Sequence, residues 1–144
     1  EEIMQRSAMR ELAFKFIYGL EMQKNLEDLE QIEIFIENNE ITNEKVIQYL
    51  KDIQNGVTEH SAEMNDLIEK NLKENWSLSR VSKINLSLIK IAIYEMLYKE
   101  VPYKVAINEV IELAKKYSDE SAPVFINGIL ASVVKDKKLD AKVK

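Results

Sequence analysis

The chain has 144 residues, 46% of them apolar, with 20 Lys+Arg against 25 Asp+Glu and a formal net charge of −5. That length suits one compact domain, and that apolar share excludes a disordered segment. With no Cys, one His, three Gly and two Pro, the composition excludes disulfide frameworks, thiolate zinc sites, thiol nucleophiles, multi-His metal sites and turn-rich β folds.

The predicted elements are helices almost throughout. Ala8, Leu12, Phe16 and Leu20 recur every four residues, with Met9, Ala13 and Ile17 beside them. This predicts an amphipathic helix over about residues 5–23. Leu29, Ile32, Phe35 and Ile36 mark a short second helix that Asn38 and Asn39 end. Thr42 is the expected N-cap of a third helix. Its stripe runs Val46, Leu50, Ile53, Val57, His60, Met64 and Leu67, which predicts a single helix of about 30 residues, roughly 45 Å long. Gly56 lies within it and predicts a bend or close packing there.

After Trp76, Ser77-Leu78-Ser79 reads as a capped short turn. Ser82 caps a helix to about Lys99 whose apolar residues point in several directions, the mark of a central helix. Pro102 starts the next, which runs to about Lys116. Residues 118–122 form a loop, and Pro123 opens the last helix, with Ile126, Ile129, Leu130, Val133 and Val134 as its core face. The fold expectation is all-α, a compact bundle of about seven helices in a single domain over 1–144. The basic tail is expected to fray from about residue 136. No linker or repeat is visible. No apolar run reaches the length of a membrane span and no signal-peptide pattern occurs, so a cytoplasmic protein is expected.

The charge is polarised. Residues 1–75 hold 17 acids and 8 bases, a balance of −9, and residues 76–144 hold 8 acids and 12 bases, a balance of +4. Polarised charge leaves room for a basic face on an acidic protein. The Lys-rich end reads as a natural terminus.

Catalytic constellations are weak. The three glycines stand apart at 19, 56 and 128, so no Gly-rich phosphate loop exists. His60 lies on an apolar stripe and reads as a packing or capping histidine, with a general base as the alternative. Glu59 and Glu63 could share a metal, but their spacing arises on any Glu-rich helix. Trp76 and the six tyrosines read as core and rim. No catalytic residue, metal or cofactor is assigned.

Binding features are stronger. Arg6 and Arg10 stand four apart on the first helix, where both are expected to project from one face toward backbone phosphates. Only one other arginine exists, Arg80. Gly128 is expected to permit close helix approach. Asn127 and Phe125 beside it read as contacts to backbone, a ligand or an unpaired base.

The run Val101-Pro-Tyr-Lys-Val-Ala-Ile-Asn-Glu-Val-Ile-Glu-Leu-Ala-Lys-Lys-Tyr-Ser118, followed by Phe125-Ile-Asn-Gly-Ile-Leu130, resembles the signature of the NusB family of bacterial transcription antitermination factors. Arg6 to Ala13 and Ile89 to Glu95 are similar to that family's first and central helices. The resemblance covers about residues 5–135, in order.

It implies two packed three-helix groups plus an extra helix, with no catalysis and no cofactor. The implied partners are boxA RNA, the ribosomal protein NusE and the RNA polymerase antitermination complex, the outcome being read-through chiefly in ribosomal RNA operons. The implied RNA-facing residues are Arg6, Arg10, Arg80, Lys83, Phe125 and Asn127. The implied NusE contacts are Tyr18 and Asn85. Both monomer and homodimer remain open for the free protein.

The chain departs from the family pattern at Ser7, at Asn85-Leu86 where Asp-Arg is common, at Ala131 where Asp or Asn is usual, and at the acidic Glu1-Glu2 start. Two other readings compete. One is the RNA-binding domain of an RNA methyltransferase, which requires a further catalytic domain. The other is a protein-binding helical module without RNA contact, suggested by the acidic 21–44 stretch.

Overall fold

A computed structural model describes residues 6–23 and 30–142. Gln5 and Leu29 of the expected helices, Glu1 and Glu2, and Lys144 of the tail lie outside them. Seven α-helices follow in order: α1 Arg6–Gln23, α2 Glu30–Asn38, α3 Glu44–Glu59, α4 Ser61–Lys70, α5 Lys83–Tyr98, α6 Tyr103–Tyr117 and α7 Ala122–Asp136. Short 3-10 turns cover Leu78–Arg80 and Asp140–Lys142. The described residues contain no strand, in line with the all-α expectation.

Backbone contacts group the chain into two compact units, Glu1–Glu59 and His60–Lys144. In the first, α1 packs on α3, and α2 touches both. Ala13, Phe14, Phe16, Ile17, Leu20, Ile32, Val46, Leu50, Ile53 and Val57 are its buried apolar residues on these helices. In the second, α5 packs on α6 and α7, α6 packs on α7, and α4 meets α7 and the Leu78–Arg80 turn. Every residue of α5 from Leu86 to Met96 is buried, as its all-round apolar pattern predicts. Lys90 and Glu95 are buried within that run, and both have interaction partners.

Local chemistry explains most boundaries. The Ser82 hydroxyl accepts from Asn85 N–H at 3.1 Å and caps α5. Pro102 precedes α6, and Pro123 sits in the first turn of α7. Glu40, Glu100 and Lys138 adopt positive φ just past the ends of α2, α5 and α7. The chain then turns back: Ile41 N–H donates to Ile36 O at 3.0 Å, Val101 N–H to Glu95 O at 3.0 Å, and Leu139 N–H to Val134 O at 2.9 Å. These are left-handed helix ends built without glycine. Beyond α7, where the composition predicts fraying, the chain makes hydrogen-bonded turns through residue 142.

Three local expectations are corrected. Thr42 is not the cap of α3. Asn43 fills that role, its side-chain oxygen accepting from Lys45 N–H at 2.9 Å. The 30-residue helix is two helices, α3 and α4, interrupted at His60 rather than at Gly56. His60 has φ −102° and ψ 14°, outside helical values, and its ring stacks on Tyr98 with centroids 3.8 Å apart. That stack anchors the residue where the ladder breaks. Gly128 does not mark a close approach, because a Cβ placed there meets nothing within 4 Å.

Candidate functional site

The site is a surface groove of about 890 Å³ in the second unit, where Trp76, Arg80, Asn85, Phe125 and Gly128 converge. Three segments build it. The chain leaving α4 turns at Asn71 and again at Trp76, whose N–H donates to Lys73 O at 2.9 Å. The Leu78–Arg80 turn closes with Arg80 N–H donating to Ser77 O at 3.0 Å and Val81 N–H to Leu78 O at 3.1 Å. The expected serine cap is not made: Ser77 forms no side-chain cap bond, and its hydroxyl lies 3.1 Å from that of Ser79. The third segment is α7, which presents Phe125, Gly128, Ile129 and Ser132 to the groove. Their spacing of three, four and seven residues places them on one helix face.

Arg80 folds back over Trp76. Its guanidinium carbon lies 5.1 Å from the indole centroid, and Nη1 donates to Asn75 O at 3.2 Å. The Phe125 ring sits 5.4 Å from Trp76, inclined by 37°. Trp76 is 41% exposed and Val124 at the rim is 80% exposed. Trp76 is thus a partly exposed rim residue packed on the half-buried Phe125, in line with the core-and-rim expectation.

Polar groups frame the groove. Asn85, in the first turn of α5, accepts through Oδ1 from the Ser118 hydroxyl at 2.9 Å. Asp119 accepts from Ser121 N–H at 3.1 Å and from its hydroxyl at 2.8 Å, ordering the entry to α7. At the far end, Asn71 ties α4 to α7. Its amide donates to Leu67 O at 2.9 Å and to the Asp136 carboxylate at 3.3 Å, and its oxygen accepts from the Ser132 hydroxyl. The Asn71 hydrogen bond above all, helped by Lys70 at 3.3 Å, holds the Asp136 carboxyl below its ordinary range.

The remaining candidates fall elsewhere. Lys83 is exposed at the first position of α5, one residue past the Ser82 cap. Asn127 is exposed, but it lines a different groove of about 500 Å³, with Tyr103, Lys104, Asn108, Ala131 and Lys135. Phe125 and Asn127 therefore line different grooves. Two residues apart on a helix is a rotation of about 200°. In the first unit, Arg6 is exposed, whereas Arg10 is only 3% exposed and is partnered. The expected projecting pair is thus divided. Arg10 precedes Ala13, Phe14 and Ile17 by three, four and seven residues, which are the positions of the buried face. Tyr18 is half-buried and stacks with Phe14 at 5.9 Å.

Trp76 is the groove residue that the sequence reading left among core and rim positions. Its signal was available: it is the sole tryptophan, four residues before one of three arginines.

The second unit also holds a His60–Tyr98–Glu63 cluster. Tyr98 donates its phenol proton to Glu63 at 2.7 Å. Burial, with Glu63 adding to it, pushes that phenol up to about 12. Among the described residues no group of three or more His, Asp or Glu side chains could hold a metal, so Glu59 and Glu63 gather no such set. No helix among them is long and apolar enough to cross a membrane.

The fold and groove define a class: an all-helical protein with a surface groove lined by aromatic and cationic side chains. A sequence model of the NusB family matches residues 7–135, and the chain belongs to that family. It is 45% identical over 139 residues to the transcription antitermination protein NusB of Acetivibrio thermocellus, covering 96% of this chain and 94% of that one. Against the NusB of Ruminiclostridium cellulolyticum the identity is 46% over 134 residues, with 92% and 90% covered. Among solved structures, T. maritima NusB matches with a TM-score of 0.83 and 31% identity, over 96% of this chain and 99% of that one. A crystal structure of the antitermination factors NusB and NusE in complex with dsRNA matches with a TM-score of 0.81 and 25% identity, over 91% and 96% of the two chains.

Proposed function

We propose that this chain is an RNA-binding transcription antitermination factor that recognises boxA RNA together with NusE. The pair then promotes read-through by RNA polymerase, chiefly in ribosomal RNA operons. Family membership over residues 7–135 carries this reading, and the neighbour described with NusE and dsRNA supports both partner classes. The groove adds a local reason. Unpaired bases are recognised by stacking on aromatic faces and guanidinium planes, and Trp76, Phe125 and Arg80 are gathered there.

In this reading, residues 1–144 act as one functional domain. Arg80 and Lys83 contact phosphates beside the groove, and Arg6 supplies a phosphate contact from α1. Phe125 offers a stacking face. Arg10, being buried, holds α1 rather than reaching RNA. Asn127 contributes from its own groove, and Tyr18 and Asn85 serve the NusE side.

The test is binding of a boxA RNA and a scrambled control, each with and without NusE. Selective binding of boxA, strengthened by NusE, is the expected result. Equal and negligible binding of both RNAs under every condition overturns the proposal.

A further inference from the structure

The groove of about 500 Å³ that Asn127 lines runs between α6 and α7. Its apolar lining is aliphatic: Ile107 and Ile111, one turn apart on α6, with Ala131 and Val134 of α7. Each helix adds one exposed carboxamide, Asn108 from α6 and Asn127 from α7. Among the described residues, neither carboxamide is hydrogen-bonded to another side chain or to backbone. Lys104 and Lys135 are exposed at the same groove, and Asp140 is the acid of its lining. Among the described residues these three charges form no ion pair. The groove thus carries two ammoniums against one carboxylate on a chain whose formal charge is −5.

These groups select an occupant. A carboxamide donates and accepts at once, as a peptide group does. One from each wall suits an extended backbone, whose N–H and C=O groups need partners, laid over a floor that takes its apolar side chains. A helix would leave both carboxamides unused, because its backbone groups are bonded to one another. A nucleotide fits less well. Unpaired bases stack on aromatic faces and guanidinium planes, whereas this floor is aliphatic and no arginine lines it. The excess of ammonium over carboxylate favours acidic side chains on the occupant.

We infer that the α6–α7 groove docks an extended acidic segment of a partner protein. Asn108 and Asn127 bond its backbone, an apolar side chain enters between Ile107 and Ile111 and the α7 wall, and Lys104 and Lys135 meet its carboxylates. This goes beyond the RNA-binding reading, does not depend on it, and gives Asn127 a protein contact.

The full chain, labelled with nitrogen-15, is titrated with the peptide Ac-Asp-Leu-Asp-Leu-Asp-NH2 and with its counterpart carrying Lys in place of Asp. The side-chain amide signals of Asn108 and Asn127 are identified by their loss in Asn108→Ala and Asn127→Ala. Both signals move with the acidic peptide and not with the lysine one. Replacing both cations, Lys104→Glu with Lys135→Glu, weakens the acidic peptide about tenfold or more, as the reversal of two surface pairs implies. Circular dichroism checks the fold of each variant. Should the double variant fail to fold, the lysine peptide still decides the charge requirement.

Unmoved Asn108 and Asn127 signals at saturating acidic peptide overturn the inference. An equal response to the lysine peptide overturns it as well, since the cations then select nothing. Movement of both signals with single-stranded RNA but not with the acidic peptide overturns it in favour of nucleic acid. Failure of boxA RNA to bind anywhere on the chain, with the peptide response intact, defeats the RNA reading and leaves this inference standing.

Discussion

Tyr98 shows how much one contact changes a side chain. Its ring lies flat on His60, and its hydroxyl donates to Glu63 at 2.7 Å. Burial first, then Glu63, raises the phenol from 10.0 to about 12. The fold therefore favours the neutral phenol, and the associated stability is complete below pH 10 and lost as pH rises toward about 12. Glu63→Gln removes the contribution of the charge and leaves that of burial, so Tyr98 should titrate at lower pH than in the parent while staying above the ordinary value. Ring-carbon NMR resolves Tyr98 from the other tyrosines, and an unchanged titration would show that Glu63 has no part in the shift. His60 was legible as a packing residue because it sits on an apolar stripe. Its Tyr98 partner was not, since the two are joined only by the packing of the second unit. Arg10 makes the same point in reverse. The i, i+4 spacing with Arg6 was correct, but spacing gives a direction around a helix and not the depth to which that direction is buried.

The start of α5 was readable, because capping is a local bond between near neighbours in sequence. Ser82 accepts from Asn85 N–H as its position predicts. Ser82→Ala should cost about 1 kcal/mol in denaturant unfolding, and a value indistinguishable from the parent would show the cap to be dispensable. Thr42 and Asn43 illustrate the limit: adjacent capping residues compete, and the backbone of the α2–α3 connection decides in favour of Asn43. On α7 the helix was correct and its two polar neighbours were separated. Phe125 shares a face with Gly128, Ile129 and Ser132, whereas Asn127 shares one with Ala131 and Val134. Periodicity alone shows that separation, once the motif is read as a helix and not as a string.

For the whole molecule, the balance of −5 makes nucleic-acid binding depend on where the cations stand. Arg6 and Arg80 are exposed while Arg10 is buried, so few arginines remain to meet phosphate. RNA affinity of the free chain should be modest and its salt dependence shallow, because the slope scales with the number of phosphate contacts. In a plot of log affinity against log salt, Arg80→Ala should reduce the slope by about one unit. An unchanged slope would show that Arg80 meets no phosphate.

By itself the sequence determined the helical class, the central helix α5 and its Ser82 cap, because these depend on apolar period and on neighbours within a few residues. The ordered motifs over 101–130 likewise sufficed to indicate the family. Only the tertiary structure decided that the long third helix breaks at His60, that Arg10 is buried, and that Trp76, Arg80 and Phe125 share one groove. Each of those outcomes depends on which surfaces of separate helices meet, and that choice is made by packing across distant parts of the chain.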